Sequence, residues 1–221
     1  MTAASVLRPT GAPLGTTRRL SAGLHLTWLY LRTRRVPAGV VALAASGAVL
    51  HAALRYHWVF NSGPYAQQVP MIIEAGAAAV IAVTAQSPFG EAERATGRWL
   101  PYLRLLAAVA LTGLAIGLLQ LGAVGESLND GVLVLARNVI GFTGLGLASS
   151  LVTGGLLAWT VPLGYMVFCQ YALLEAWRAP WAWPVRPPAD RGAWICASVV
   201  LAAGLLLFTV RGPRTHLSDD G

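Results

Sequence analysis

The sequence predicts an all-α fold: a polytopic helical bundle in a membrane, with six transmembrane helices behind an N-terminal interfacial helix. Three observations carry this. Of 221 residues, 56% are apolar and only 11% are charged, against about 25% charged in ordinary soluble domains. The charges collect in short clusters, leaving nearly uncharged stretches of roughly 18–23 residues, which as helices span the hydrocarbon core. All 16 basic residues are arginine, and they flank the apolar stretches as topology signals do. A basic face interleaved with aromatics is absent, so nucleic acid is not the expected partner of the +7 charge.

Residues 1–19 read as a flexible N-terminal tail. Thr17-Arg18-Arg19-Leu20 is close to a twin-arginine signal, but the apolar run behind it ends at Arg32, Arg34 and Arg35 without a small-residue cleavage site. Instead Leu20, Leu24, Trp28 and Leu31 recur at helical spacing, which predicts an interfacial helix over 20–35 with Trp28 and Tyr30 at headgroup depth. The single transmembrane domain covers 20–210, and 211–221 is a C-terminal tail.

Within it, spans are expected near 37–58, 69–86 and 101–123, with the turn Asn61-Ser62-Gly63-Pro64 joining the first two. Residues 132–177 are too long for one span, and their break is expected at Ser149–Gly155. One long kinked helix is the alternative, and it gives five spans. The last span runs near 193–210, after a Trp- and Pro-rich connector at 178–192. Six spans place both termini on one side. Assigning it to the cytoplasm puts Arg8, Arg18, Arg19, Arg32, Arg34, Arg35, Arg94, Arg98, Arg104, Arg211 and Arg214 inside, and Arg55, Arg137, Arg178, Arg186 and Arg191 outside. That asymmetry obeys the positive-inside rule and predicts a multi-pass protein of the plasma membrane with cytoplasmic termini.

No nucleophile elbow, His-Glu-x-x-His or phosphate-cradling loop occurs, so no catalytic residue, cofactor or metal is expected. Cys169 and Cys196 lie inside apolar segments and read as small core residues. The chemistry-bearing groups form an expected intramembrane polar network of His51, Arg55, Glu74 and Arg137. Counted from the tip of the first hairpin, Glu74 is level with His51 and within a turn of Arg55. A carboxylate facing a guanidinium there relieves the burial cost of both, as a structural pair or as part of a substrate or proton path. Arg137 and Asn138 head the fourth span, where an arginine snorkels outward. Behind them Gly141, Gly144 and Gly146 mark a closely packed helix. Gly113 and Gly117 form a Gly-x-x-x-Gly helix contact, Pro162 and Gly164 predict a kink, and Trp177, Trp181, Trp183 and Trp194 read as an outer aromatic belt.

The connector Ser87-Pro88-Phe89-Gly90-Glu91-Ala92-Glu93-Arg94-Ala95-Thr96-Gly97 is the most specific signal. Pro88 opens a short helix at 88–97, with Glu91 and Glu93 early and Arg94 late, the order a helix dipole favours. Phe89 and Gly90 head it, with Phe89 as an exposed apolar knob. The readings are a docking element for a cytoplasmic partner and an ordinary interfacial turn.

This stretch, the Arg137-Asn138…Gly141…Gly144 stretch, the interfacial helix and the six spans together resemble an ABC-2 type transporter permease of GC-rich bacteria over residues 20–210. The resemblance implies a permease without a nucleotide site, paired with a cytoplasmic ATPase subunit and dimerised as a homodimer or with another permease. It makes 20–35 the elbow helix and 88–97 the coupling helix, with Phe89, Gly90, Glu91, Glu93 and Arg94 as the ATPase-docking residues. The connector at 178–192, short and rich in proline, leaves little room for the re-entrant helical hairpin many such permeases carry. The expected function is the membrane-spanning subunit of an ATP-driven exporter, not itself an enzyme. The alternatives are a non-transporting scaffold or accessory protein and, third, an intramembrane enzyme.

Overall fold

The computed structural model describes residues 36–56, 68–85, 100–126, 131–154, 157–175 and 179–211. The tail 1–19, the helix expected at 20–35 and the short helix expected at 88–97 lie outside the described residues. So does the C-terminal tail beyond Arg211.

Each apolar run folds as a helix: α1 Val36–Arg55, α2 Gln68–Thr84, α3 Leu100–Gly122, α4 Gly131–Thr153, α5 Thr160–Leu174 and α6 Arg191–Arg211. Among the described residues there is no strand. Pro37, Pro70, Pro101 and Pro162 each fall in the first turn of their helix. There a missing N–H removes no intrahelical bond, and the fixed φ already suits the helix. Pro162 therefore starts α5 and does not kink it mid-membrane. A Cβ added at Gly164 would meet nothing within 4 Å.

Four helices, α1, α3, α4 and α6, are long and apolar enough to cross a membrane. The other two are shorter, 17 residues in α2 and 15 in α5, or about 26 and 22 Å at 1.5 Å per residue.

Residues 132–177 form two helices. The division falls at the C-terminal edge of the expected break, where Gly154 takes φ +71°, a conformation that costs other residues about 1 kcal/mol or more. Ser149 ties the turn, its Oγ lying 2.9 Å from the Gly146 carbonyl oxygen and 2.8 Å from that of Ala158.

Helix α4 is central. It packs on α2, α3, α5 and α6, most extensively on α6, and Arg137, Phe142 and Leu147 are wholly buried. The apolar residues left exposed, among them Val41, Leu106, Leu121, Ile195 and Leu206, suit a lipid surround.

Small residues set the crossings, since without a bulk hydrophobic drive close van der Waals contact holds membrane helices together. A Cβ on Gly144 would come within 2.5 Å of the Val200 carbonyl oxygen, and one on Gly204 within 2.4 Å of that of Gly144. The α1–α3 crossing is built likewise, with Gly122 against the carbonyl of Gly47. The Gly-x-x-x-Gly pair of α3 makes no such contact among the described residues. A Cβ on Gly113 or Gly117 meets nothing within 4 Å, because α3 turns its Ala108, Ala115 and Leu119 face to the core instead.

Candidate functional site: a buried polar cluster beneath a re-entrant connector

On α2 the alanines at 75, 77 and 78 are buried, so this helix approaches its neighbours closely and turns Glu74 inward with them. Glu74 is 2% exposed. Its Oε2 accepts a hydrogen bond of 2.7 Å from Nδ2 of Asn138, itself buried on α4. A hydrogen bond from an Asn amide to a carboxyl oxygen is strengthened where water is excluded.

His51 and Arg55 belong to a different contact. The Nδ1 of His51 lies 3.1 Å from the Gly122 carbonyl oxygen at the end of α3. The Arg55 Nη1 is 3.8 Å from Oε1 of Glu126, and the Arg55 side chain is 70% exposed. The expected pairing of Glu74 with either residue is thus corrected. Counting from the hairpin tip gives the level of a residue, not its rotation about the helix axis. Gly47, His51 and Arg55 lie one turn apart on the α3-facing side of α1, whereas Glu74 faces α4.

Arg137 does not snorkel. It is wholly buried, its Nη1 donating to the Pro187 carbonyl at 2.8 Å and its Nη2 to that of Arg186 at 2.7 Å. Successive residues of α4 thus face different partners, Arg137 the connector and Asn138 the helix α2. Coil backbone at membrane depth needs its carbonyls satisfied by protein, and this guanidinium satisfies two.

The connector reaches deeper still. Trp183, on a single 3₁₀ turn at Trp183–Val185, is buried and occupies the space a side chain at Gly141 would fill. Gly141 is ten residues into α4, so the indole sits about 15 Å below the start of that helix. Trp183 stacks on Tyr165 of α5 with centroids 4.7 Å apart, and the Tyr165 hydroxyl donates to the Trp181 carbonyl.

Described residues of the connector hold no helical hairpin, yet the segment descends into the bundle and returns. Trp183 is therefore no part of an outer belt. Trp181 stays 40% exposed and stacks on Phe168, Trp194 donates to the Pro188 carbonyl at 3.0 Å, and Trp177 lies outside the described residues.

The return leg is fixed by Asp190. Its Oδ1 accepts from the Ala193 backbone N–H at 3.1 Å, capping α6, and its Oδ2 accepts from Nε of Arg186 at 2.6 Å. The Ala193 amide first, and the Arg186 guanidinium next, hold the Asp190 carboxyl below its ordinary range.

Among the described residues, the buried polar atoms left without a hydrogen-bond partner include Asn138 Oδ1, Trp183 Nε1 and Thr143 Oγ1. Phe89, Gly90, Glu91, Glu93 and Arg94 lie outside the described residues. Sequence reasoning named Asn138 but missed its pairing with Glu74, and it missed Asp190 and the Trp183–Gly141 contact. The available signal was Gly141 one turn below Arg137: a notch and a multiple donor on one face, opposite a proline-rich segment.

Among the described residues no group of three His, Cys, Asp or Glu side chains could hold a metal ion. No family model, curated protein or solved structure matches the chain.

Proposed function

We propose that the chain is the membrane-spanning permease subunit of an ATP-driven transporter of the ABC type, an exporter. In this reading it has six spans, cytoplasmic termini and a place in the plasma membrane. It pairs with a cytoplasmic ATPase subunit through 88–97, and with a second copy or another permease in the bilayer. The observation that carries the reading is the Glu74–Asn138 hydrogen bond at the α2–α4 interface. A carboxylate so deep in an apolar bundle is costly, and proteins keep such groups chiefly where they handle substrate, ions or a moving interface. The segment 88–97 joins α2 to α3, so force from an ATPase enters through the helix that carries Glu74. Displacing α2 along α4 breaks that bond, while the connector with Trp183 seals the outer side.

The test is purification of the tagged chain from its native membranes. A subunit with Walker motifs should co-purify at fixed stoichiometry, and Phe89→Ala should release it while the membrane protein stays folded. Glu74→Ala should leave the complex intact but uncouple ATP hydrolysis from transport. A well-folded chain that brings down no ATPase under any condition overturns the proposal. One observation favours the second reading, a non-transporting scaffold or accessory protein. Both terminal nitrogens of Arg137 are taken by carbonyls of its own chain, the pattern of a static clasp.

A further inference from the structure

Besides Met1, the sequence has two methionines, Met71 and Met166. Both are buried in a single cluster with one of the two cysteines, Cys169. Met71 comes from α2. Met166 and Cys169 come from α5, three residues apart and so on one face of that helix. Gln170, one turn beyond Met166, donates its Nε2 to the Met71 sulfur at 3.5 Å, which sets this face of α5 against Met71. Tyr165, one turn before Cys169, turns its hydroxyl to the Trp181 carbonyl instead. Exposure of the three sulfur residues is 1%, 8% and 0%. Burial alone needs only Leu and Ala, which the other apolar clusters use freely.

We propose that Met71, Met166 and Cys169 form a binding site for a soft monovalent cation, Cu(I). Thioether and thiolate sulfur select Cu(I) over hard ions such as magnesium or calcium. Charge bookkeeping selects it over divalent ions as well. One thiolate and one monovalent cation sum to zero, so the complex adds no net charge to a low-dielectric interior, whereas a divalent ion would leave one uncompensated. In the binding step the Cys169 S–H bond breaks, an S–Cu bond forms and the proton leaves to bulk water. Copper stays Cu(I), so no oxidant or reductant is needed. The two thioethers donate lone pairs, that of Met71 exchanging its Gln170 contact for the metal. The site does not depend on the transporter reading and stands whether or not an ATPase binds.

The experiment uses the full chain in lipid nanodiscs under anaerobic conditions, with Cu(I) supplied as its complex with a coloured competing chelator. We expect one copper per chain, one proton released and an all-sulfur shell by X-ray absorption. Cys169→Ala should lose binding by about a hundredfold or more, Met71→Leu and Met166→Leu by about tenfold each, and Cys196→Ala should change nothing. The Leu variants conserve volume, so they keep the test decisive if Cys169→Ala folds poorly. Failure to take copper from the chelator overturns the site. So does binding that survives both Leu changes together, or a loss in Cys196→Ala as large as in the cluster variants.

Discussion

Trp183 lies in the notch left by Gly141: a Cβ there would sit 2.5 Å from both Nε1 and Cε2 of the indole. The contact joins the deepest point of the connector to the middle of the central helix. Gly141→Ala must displace a rigid ring that is stacked on Tyr165, not the end of a flexible chain. Overpacking of this kind costs about 1–3 kcal/mol. In thermal unfolding, Gly141→Ala should destabilise Trp183 protein clearly but Trp183→Ala protein hardly at all. Equal losses in both backgrounds would show that the ring yields freely.

The Glu74–Asn138 bond predicts a coupling that hairpin counting assigned elsewhere. Removing either partner leaves the other buried and poorly satisfied, at a cost of about 1–3 kcal/mol. In a double-mutant cycle, Glu74→Ala and Asn138→Ala should therefore cost less together than the sum of the singles. Glu74→Ala and Arg55→Ala should add, because Arg55 faces Glu126 and is largely exposed. Coupling to Arg55 as strong as to Asn138 would contradict the structure.

The contrast between these pairs shows what was legible in the sequence. Helix positions were, because apolar runs bounded by charge and by Pro37, Pro70 and Pro101 report length and start directly. Rotation about each axis was not. A helix apolar on every side carries little periodic signal, so the face of α2 bearing Glu74 and the inner face of α3 had to come from packing. The descent of the connector was hidden for another reason. Trp183, Arg186 and the neighbouring prolines suit a headgroup belt as well as a buried loop, and only the partner on α4 distinguishes the two.

Glycines sort by their surroundings. Ala at Gly144, Gly204, Gly47 or Gly122 pushes a methyl group into a neighbouring backbone, and each should lower the melting temperature of the isolated chain. At Gly113 and Gly117 the same change enters open space. There it should be neutral or stabilising by up to about 1 kcal/mol, the helix-propensity gain over glycine. Destabilisation of the monomer by Gly113→Ala would show that α3 is rotated from its described orientation.

Asp190 gives the connector end of the fold a pH dependence of defined sign. Its carboxyl is held down in the folded protein, first by the Ala193 amide and then by Arg186. The stabilisation is thus complete above the unfolded carboxylate value, about 3.9, and is lost as pH falls through the lower, folded value. Asn at this position still caps a helix but carries no charge. Asp190→Asn should flatten the stability loss below about pH 4 and leave the profile near neutrality with the same shape. An unchanged acid limb would mean that other carboxylates carry it.

Topology is the last prediction, and α5 decides it. Its 15 residues extend about 22 Å, short of a hydrocarbon core of about 30 Å. A short span is tolerated where the bilayer thins or where protein fills the remaining depth. Here the connector supplies that filling, since Trp183 packs beside Tyr165 on this helix. If α5 crosses, reporter fusions at Asn61, Ser127 and Ala189 read outside, and those at Ala95 and Asp219 read inside. If α5 returns without crossing, α4 still ends inside, and the connector at Ala189 stays inside with it. Then α6 runs outward and Asp219 reads outside. The two signals must invert together, so the pair separates six spans from five even if one fusion disturbs its own segment. Arg137 clasps the Arg186 and Pro187 carbonyls at the end where α4 begins, which places the connector at the same end of the bundle as Gly131 and makes the first outcome the expected one.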